Sequence, residues 1–274
     1  MRRRTLALVV AGAATMVTLT ACGSTTTSLG EITLSASEQL VDSSNKVQQV
    51  GSYKTDVVAD LTHPREGSGT LTGSVVYQQK PDLKVDLKVD SASFGGQKLP
   101  GGVRLIVLGD TAYADIEALR QVTGLTKGKP WIKVPLNGDA GPAKEVLDRL
   151  QQIDLLTVTK MITSSRDAKV VGEETVGGVA TRHYSGTFPV DEALKLVAPE
   201  RREATGLKGL ENVTFDMYVD GEGLPRKLVL KGAHADAKLD LTLLFSGFNE
   251  PVEIAAPPAN EVGDAKDLVP GPSS

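Results

Sequence analysis

The chain has 274 residues, a formal net charge of −4 at pH 7 and a pI near 5.5. Nucleic acids are bound by clustered lysines and arginines, so this charge balance excludes nucleic acid as an expected partner. Aromatic residues make up only 4% of the chain, with Trp131 as the only tryptophan, which excludes the stacking platforms of single-strand binders.

Residues 1–21 have the pattern of an export signal. Three arginines at positions 2–4 precede an apolar stretch from Leu6 to Leu19. A membrane-spanning helix needs about 20 apolar residues, whereas this stretch is shorter and interrupted by threonines. We therefore predict a cleaved signal and not a membrane anchor. The triple arginine leaves both the general and the twin-arginine export route open.

The only cysteine, Cys22, directly follows this signal. The residues Leu19, Thr20, Ala21 and Cys22 resemble the bacterial lipobox. The resemblance implies cleavage before Cys22 and transfer of a diacylglyceryl group to its sulfur, which reacts as the thiolate. Because each buried methylene contributes about 0.8 kcal/mol, two or three acyl chains would hold the protein on a membrane. The expected location is the outer face of the cytoplasmic membrane.

Composition divides the rest of the chain into three parts. Residues 22–33 are rich in Gly, Ser and Thr and are predicted to be a flexible tether after the lipidated cysteine. Residues 34–252 form the predicted folded domain. Residues 253–274 are predicted to be a loosely packed, proline-rich tail. With Cys22 modified no cysteine remains, so stability must come from burial and not from disulfides.

The folded domain opens with a helix and continues mainly as strands. Ser35 and Glu38 form a capping box before a helical pattern. In residues 83–89, Leu83, Val85, Leu87 and Val89 alternate with Lys84, Asp86 and Lys88, which predicts a strand with the apolar side chains facing inward. Further strands are predicted at 71–79, 103–108, 131–134, 168–176, 179–187, 212–220 and 238–245, and helices at 142–154 and 191–198.

These elements predict an α+β fold in which helices cover one face of a broad antiparallel sheet. Strands joined by short turns pair antiparallel, and an apolar sheet face must be covered. Periodicity alone allows either a solid core or an enclosed cavity between helices and sheet.

Three stretches add a family resemblance. They are GKPWIKV at 128–134, VVGEETVGGVATRHYSGTF at 170–188 and MYVDGEGLPRKLVL at 217–230. In this order, behind a lipobox, they make residues 34–250 resemble actinobacterial lipid-carrier lipoproteins of the LppX and LprG type, which share the architecture of the carriers LolA and LolB. The resemblance implies a curved half-barrel sheet whose concave face, covered by helices, encloses an apolar cavity for acyl chains.

The family has no invariant catalytic set, so only apolar, cavity-facing character is carried over. The candidate lining residues are those expected on the inner faces of strands and helices: Val75, Tyr77, Val85, Leu87, Val107, Leu147, Leu150, Leu155, Met161, Leu194, Val197, Phe215 and Met217. No cofactor is expected.

Enzymatic signatures are missing from the sequence. His63, His183 and His234 stand far apart without zinc-ligand spacing, so no metal is expected. No G-x-S-x-G elbow occurs, and the S-x-x-K match from Ser43 to Lys46 lacks the partner motifs of penicillin-binding enzymes. Arg226 could meet a lipid head group or be a solvated turn charge. We predict that the protein is not an enzyme.

The sequence therefore predicts a lipoprotein that binds the acyl chains of envelope lipids or lipoglycans and carries or chaperones them, with an envelope transporter as a possible further partner. The alternative is a membrane-tethered sensor or protein-interaction module of the same fold without lipid transfer. A preformed cavity would favour the carrier, and a closed core with an exposed apolar outer patch would favour the interaction module.

Overall fold

A computed structural model describes residues 34–63, 67–99, 102–115, 129–136, 154–199, 202, 205, 207, 210–234 and 237–264. Leu34 begins one compact unit that contains all of them. The three described α-helices are α1 (Ala36–Val47), α2 (Leu155–Ile162) and α3 (Val190–Lys195). In the described part of the chain, no helix is long and apolar enough to cross a membrane.

The thirteen strands in the described part of the chain form a single sheet. They are β1 (Ser52–His63), β2 (Gly67–Gln78), β3 (Lys84–Phe94), β4 (Gln97–Leu99), β5 (Val103–Leu108), β6 (Thr111–Asp115), β7 (Trp131–Pro135), β8 (Lys169–Val176), β9 (Val179–Pro189), β10 (Asn212–Asp220), β11 (Pro225–His234), β12 (Ala237–Ser246) and β13 (Val262–Asp264). Their order is β13-β7-β6-β5-β3-β2-β1-β12-β11-β10-β9-β8, with β4 paired to β3. All pairs are antiparallel except β13 with β7.

All three described helices pack on one face of the sheet, which we call the inner face. Together they form one core. Leu40 of α1, Met161 and Ile162 of α2, and Val190 of α3 are at most 2% exposed in a core shared with residues of β9–β12. The predicted α+β fold, an open and curved antiparallel sheet with helices on one face, is confirmed. The described helices cover only the β9–β12 half of the sheet.

Helix α1 begins at the predicted capping box. The backbone N–H of Ser35 donates to Glu38 (2.7 Å), and the Ser35 hydroxyl accepts from the Glu38 N–H (3.3 Å). The hydrogen bonds from Ser35, first that of its backbone N–H, lower the pKa of the Glu38 carboxyl. Two helix donors that would otherwise be unpaired are thereby satisfied.

Several elements differ from the sequence predictions. Helix α3 ends earlier than the predicted 191–198 segment, and the predicted helix 142–154 lies, except for its last residue, outside the described residues. Helix α2 was not predicted; its cap is Asp154, whose side chain accepts from the Thr157 N–H at 2.7 Å. Strands β1, β4, β6, β11 and β13 were also not among the predicted segments.

Part of the tail pairs with the sheet, which was not predicted. Val262–Asp264 form β13 and pair with Trp131–Lys133 of β7. Proline lacks the N–H that a sheet ladder needs, but these three residues lie beyond the last proline pair, Pro257 and Pro258. The loose packing predicted for the tail is therefore wrong for this strand.

Strand β3 follows the predicted alternation. Val85 is buried at 1% exposure, with Leu83 and Leu87 packed beside it. On the other face Lys88 is exposed, whereas Asp86 is half-buried because it accepts hydrogen bonds from Arg104 of β5 at 2.8 and 2.6 Å. The inward orientation predicted for the apolar residues is confirmed.

A β-bulge interrupts the pairing of β2 with β3. Gly73 pairs with Val89 but its neighbour Thr72 pairs with Ser91, which leaves Asp90 as the extra residue of β3. At Gly73 a Cβ would collide with the carbonyl oxygen of Lys88. Glycine is therefore required at this position of β2, next to the bulge.

The bulge decides which side chains of β3 reach the inner face. Beyond Asp90, Ala92 and Phe94 point inward, while Ser91 and Ser93 point outward and hydrogen-bond to threonines of β2. If Asp90 paired regularly and no bulge formed, Ser91 and Ser93 would face inward, because a one-residue shift exchanges the two faces of a strand.

Gly73→Ala is expected to destabilise the fold by about 1–3 kcal/mol, because the added methyl group overpacks the bulge. The measurement is the urea unfolding midpoint at an unchanged m-value. Gly172→Ala is the matched control, since no atom lies within 4 Å of its added Cβ, and it should change stability by less than about 0.5 kcal/mol. Equal effects of the two substitutions would contradict the role given to Gly73.

Candidate functional site

The inner face of β12, β1, β2 and β3 is a continuous apolar surface, which we call the apolar face. Strand pairing brings together Tyr53, Val57, Ala59 and Leu61 of β1, Leu71, Val75 and Tyr77 of β2, Val85, Leu87, Val89, Ala92 and Phe94 of β3, and Leu239, Leu241, Leu243 and Phe245 of β12. Among these described inner positions no side chain is charged. Such a surface suits a hydrocarbon ligand.

Exposure increases along the strands of the apolar face. At the end near Tyr53, Val85 is 1% and Phe245 is 6% exposed. Residues in the middle, such as Val57 and Leu87, are half-buried. At the opposite end Phe94 is 39% exposed. The face is therefore closed at one end and open at the other.

Two aromatic rings mark the closed end of the apolar face. The rings of Tyr53 and Tyr77 lie 5.3 Å apart, and Tyr53 also contacts Phe245 edge-on at 6.3 Å. Burial raises the pKa of the Tyr53 hydroxyl. One polar side chain, that of Thr55, lies on the inner face at this end. It is 6% exposed, and its hydroxyl finds no hydrogen-bond partner among the described residues.

The structure divides the predicted lining residues into two groups. Leu155, Met161, Val197, Phe215 and Met217 are at most 5% exposed in the core under the helices, where Leu194 packs against them. A side chain with so little exposure has neighbours on all sides and faces no opening as wide as a water molecule. In this structure these residues fill the space between helices and sheet.

The second group belongs to the other half of the sheet. Val85 and Val107 are buried there, while Val75, Tyr77 and Leu87 are half-buried around them. Leu147 and Leu150 lie outside the described residues. That these residues line a cavity remains a prediction. The structure leaves apolar surface for a ligand at the half-buried residues Val75, Tyr77 and Leu87.

Sequence reasoning missed the open end of the apolar face. Leu61, Leu71 and Phe94 are not among the predicted lining residues, although alternation is evident in 71–79 and 83–89. The alternation in β3 stops at Val89 because of the bulge at Asp90, so only the strand pairing reveals that Phe94 shares a face with Leu61.

His183 lies on the outer face, opposite the helices. Its Nε2 is 2.8 Å from Asp216 Oδ1, and its ring stacks on Tyr218 with centroids 4.2 Å apart. Nδ1 lies 3.3 Å from Glu174 Oε1, without hydrogen-bond alignment. In the described part of the chain, no three His, Cys, Asp or Glu side chains are grouped as metal ligands. His183 is only 8% exposed.

A cavity of about 570 Å³ lies between the tail and the outer positions of β6 and β7. Its lining combines small apolar residues of the tail with polar side chains: Tyr113, Lys129, Lys133, Ala256, Pro257, Ala259, Val262, Gly263 and Asp264. Tyr113 and Lys133 pair directly, on the face opposite Ala112 and Val134, which belong to the apolar cluster. This cavity is therefore separate from the apolar face, and its ammonium groups do not suit acyl chains.

Arg226 is part of a buried ion pair. Its Nε donates to Asp220 Oδ2 at 2.7 Å, and its guanidinium lies 5.2 Å from the ring centre of Phe248. The Asp220 side chain is only 3% exposed and also accepts from the N–H groups of Glu222 and Leu224, both at 2.9 Å. Arg226 therefore has a structural role in this turn. This role replaces both alternatives considered from the sequence, a head-group contact and a solvated charge.

Comparison with known proteins gives similarity to bacterial lipoproteins. No family model matches the chain. An uncharacterized 31.2 kDa protein of Streptomyces griseus is 29% identical over 185 residues, which cover 62% of this chain and 58% of that protein. A lipoprotein candidate of Streptomyces coelicolor is 28% identical over 148 residues, covering 52% and 45% respectively. The chain thus spans about half the length of the curated relatives it matches.

Two solved structures extend this similarity. Lipoprotein LppX of Mycobacterium tuberculosis is 15% identical with a TM-score of 0.47, covering 80% of this chain and 98% of LppX. LprF of Mycobacterium bovis is 17% identical with a TM-score of 0.49, covering 81% and 96%. LppX is one of the two proteins that define the resemblance noted in the sequence. The chain is similar in sequence to a streptomycete lipoprotein candidate and in structure to mycobacterial LppX and LprF.

Arg226→Met is expected to lower the free energy of unfolding by about 3 kcal/mol, because it leaves the buried Asp220 carboxylate without its cation. Urea denaturation measures this effect. Arg166→Met is the control, since the Arg166–Glu192 pair is 78% and 39% exposed, and its loss should cost less than about 1 kcal/mol. An Arg226 variant as stable as wild type would show that the pair is not structural.

Proposed function

We propose that this protein is a membrane-anchored, extracytoplasmic carrier that holds the acyl chains of envelope lipids or lipoglycans against its apolar face. The observation that supports this function is the continuous, uncharged and half-buried inner surface of β12, β1, β2 and β3. A monomeric protein rarely leaves so much apolar surface uncovered without a ligand or partner to cover it.

Binding on such a surface needs no covalent step. Removing apolar area from water contributes roughly 25 cal/mol per Å², so affinity should rise with acyl-chain length more than it changes with head group. The protein would act by partition and transfer between a donor and an acceptor, one of which could be an envelope transporter.

Attachment through Cys22 would place the carrier on the outer face of the cytoplasmic membrane. The export pattern of residues 1–21, the single cysteine after it and the similarity to a streptomycete lipoprotein candidate support this location. The anchor would keep the folded unit close to the lipids that it handles.

A membrane-tethered interaction module is the second candidate. It is favoured by two exposed apolar side chains on the outer face, Val58 (43%) and Leu244 (39%). Both have charged neighbours on that face, including Asp56, which pairs with Leu244. This outer patch is therefore less continuous than the apolar face, and the carrier is the better supported function.

Two phenylalanine substitutions on one strand test the carrier function. Leu87→Phe adds volume at a half-buried position, so the fold should remain stable while the amount of bound lipid falls. Val85→Phe adds volume at a position only 1% exposed and should cost about 1–3 kcal/mol by overpacking. Both proteins are purified as the chain from residue 23 onward, and their lipid is extracted and quantified by mass spectrometry.

The measurement separates the two candidate functions. Wild-type protein that contains no extractable lipid would favour the interaction module. So would a Leu87→Phe variant that loses stability while its lipid content is unchanged.

Cys22→Ala should abolish incorporation of labelled fatty acid and leave an uncleaved or mis-cleaved precursor, because no other cysteine is available for acylation. The stability of the folded unit should be unchanged, since that unit begins at Leu34. Labelling of the variant at the wild-type level would remove the proposed anchor.

A further inference from the structure

The open end of the apolar face forms a distinct exposed patch. Leu61, Leu71 and Phe94 are 39%, 38% and 39% exposed, and we call these three residues the rim patch. Gly69 pairs with both Leu61 and Phe94, so the patch spans three adjacent strands. Exposed large apolar side chains grouped in this way mark an interaction site.

The position of Phe94 depends on two features of the backbone. The bulge at Asp90 turns Phe94 to the inner face. Its ring then lies across Gly69, where an added Cβ would come within 2.8 Å of the ring. An aromatic ring held over a glycine in this way is fixed in place although its outer surface remains exposed to solvent.

We infer that the rim patch is a docking surface for a lipid bilayer, through which acyl chains enter and leave the apolar face. This inference rests on the proposed carrier function. The patch is continuous with the apolar face along the same strands, so a chain that leaves the bilayer at Phe94 would reach Leu87 and Val75 without crossing a charged inner position.

A lipid surface suits the rim patch better than a protein partner. The two inner-face rows that contain the patch carry no charged side chain among the described residues, so they offer nothing to fix the register of a protein interface. Aromatic and leucine side chains are favoured where a protein surface enters the head-group region.

The proposed anchor allows this contact. Fully extended, the twelve residues 22–33 would cover at most roughly 40 Å. A strand of twelve residues, such as β1, is itself about 40 Å long. A lipidated Cys22 would therefore allow either end of the sheet to reach the bilayer.

Tryptophan fluorescence tests the contact directly. Trp131 is the only tryptophan, so a Trp131→Phe background allows one reporter at a time. Phe94→Trp places the reporter in the rim patch, and Val58→Trp places it at an equally exposed position on the outer face of β1. The full lipidated chain is reconstituted in vesicles of phosphatidylethanolamine and phosphatidylglycerol that contain spin-labelled acyl chains.

The expected result is a blue shift and loss of emission for Phe94→Trp and neither change for Val58→Trp. Equal quenching of both reporters, or of neither, would overturn the inference. A blue shift of Phe94→Trp that depends on protein concentration in the absence of vesicles would also overturn it, because the patch would then bind a second copy of the chain.

Serine substitutions measure how strongly the patch binds. Leu61→Ser, Leu71→Ser and Phe94→Ser together should weaken vesicle binding of the non-lipidated chain from residue 23 onward by about tenfold or more. Its folded unit starts at Leu34 and has its own core. Val58→Ser with Leu244→Ser is the control, which should leave vesicle binding within about twofold. A loss of the same size in the control would contradict a specific docking surface.

The same proteins separate failure of the docking surface from failure of the carrier function. Co-purified lipid together with an unquenched reporter in the Phe94→Trp variant would overturn docking and leave the carrier function standing. Quenching without any co-purified lipid would support docking and overturn the carrier.

Discussion

The register of β1 with its two neighbours is the constraint on which the apolar face depends. Tyr53, Val57 and Leu61 reach the inner face because β1 pairs in one register with both β2 and β12. A slip by one residue would bring Lys54, Asp56 and Asp60 inside, where a charge without a partner costs several kcal/mol. The alternation of apolar and charged residues therefore specifies the pairing and the surface together.

The core that stabilises the fold and the surface proposed to bind lipid lie in different halves of the sheet. Under the helices, Phe188, Ile162 and Leu228 are fully buried and supply the close packing that holds the fold together. Val57, Val75 and Leu87, on the other half, are only half-buried. Because the core under the helices and the buried cluster around Val85 and Val107 are filled, these half-buried residues can keep apolar surface available without the fold depending on their burial.

Sequence periodicity predicted the strands with strict alternation and the correct fold class, because a two-residue period is a direct consequence of strand geometry. It placed Leu87 inward and identified the capping box of α1. It could not predict the bulge at Asp90, which arises where the backbones of β2 and β3 meet, nor therefore the inward position of Phe94. Helix α2 was missed because its valine and threonines are typical of strands, while its start is fixed by the Asp154 cap.

Candidate site residues were harder to predict than the fold, since alternation identifies the inner face but not what covers it. Phe215 and Leu87 have the same sequence pattern, yet Phe215 lies under helices at 1% exposure and Leu87 lies where the apolar face remains half-buried. That difference depends on which strands the helices pack against, a long-range property of the chain. The open end follows from the same arrangement: the described helices pack over β9–β12, so the exposed apolar residues of β1–β3 need a covering partner that is itself apolar. For a chain with an export pattern and a single cysteine that is proposed to be acylated, the surface most readily available to supply that cover is the membrane to which it is proposed to be anchored.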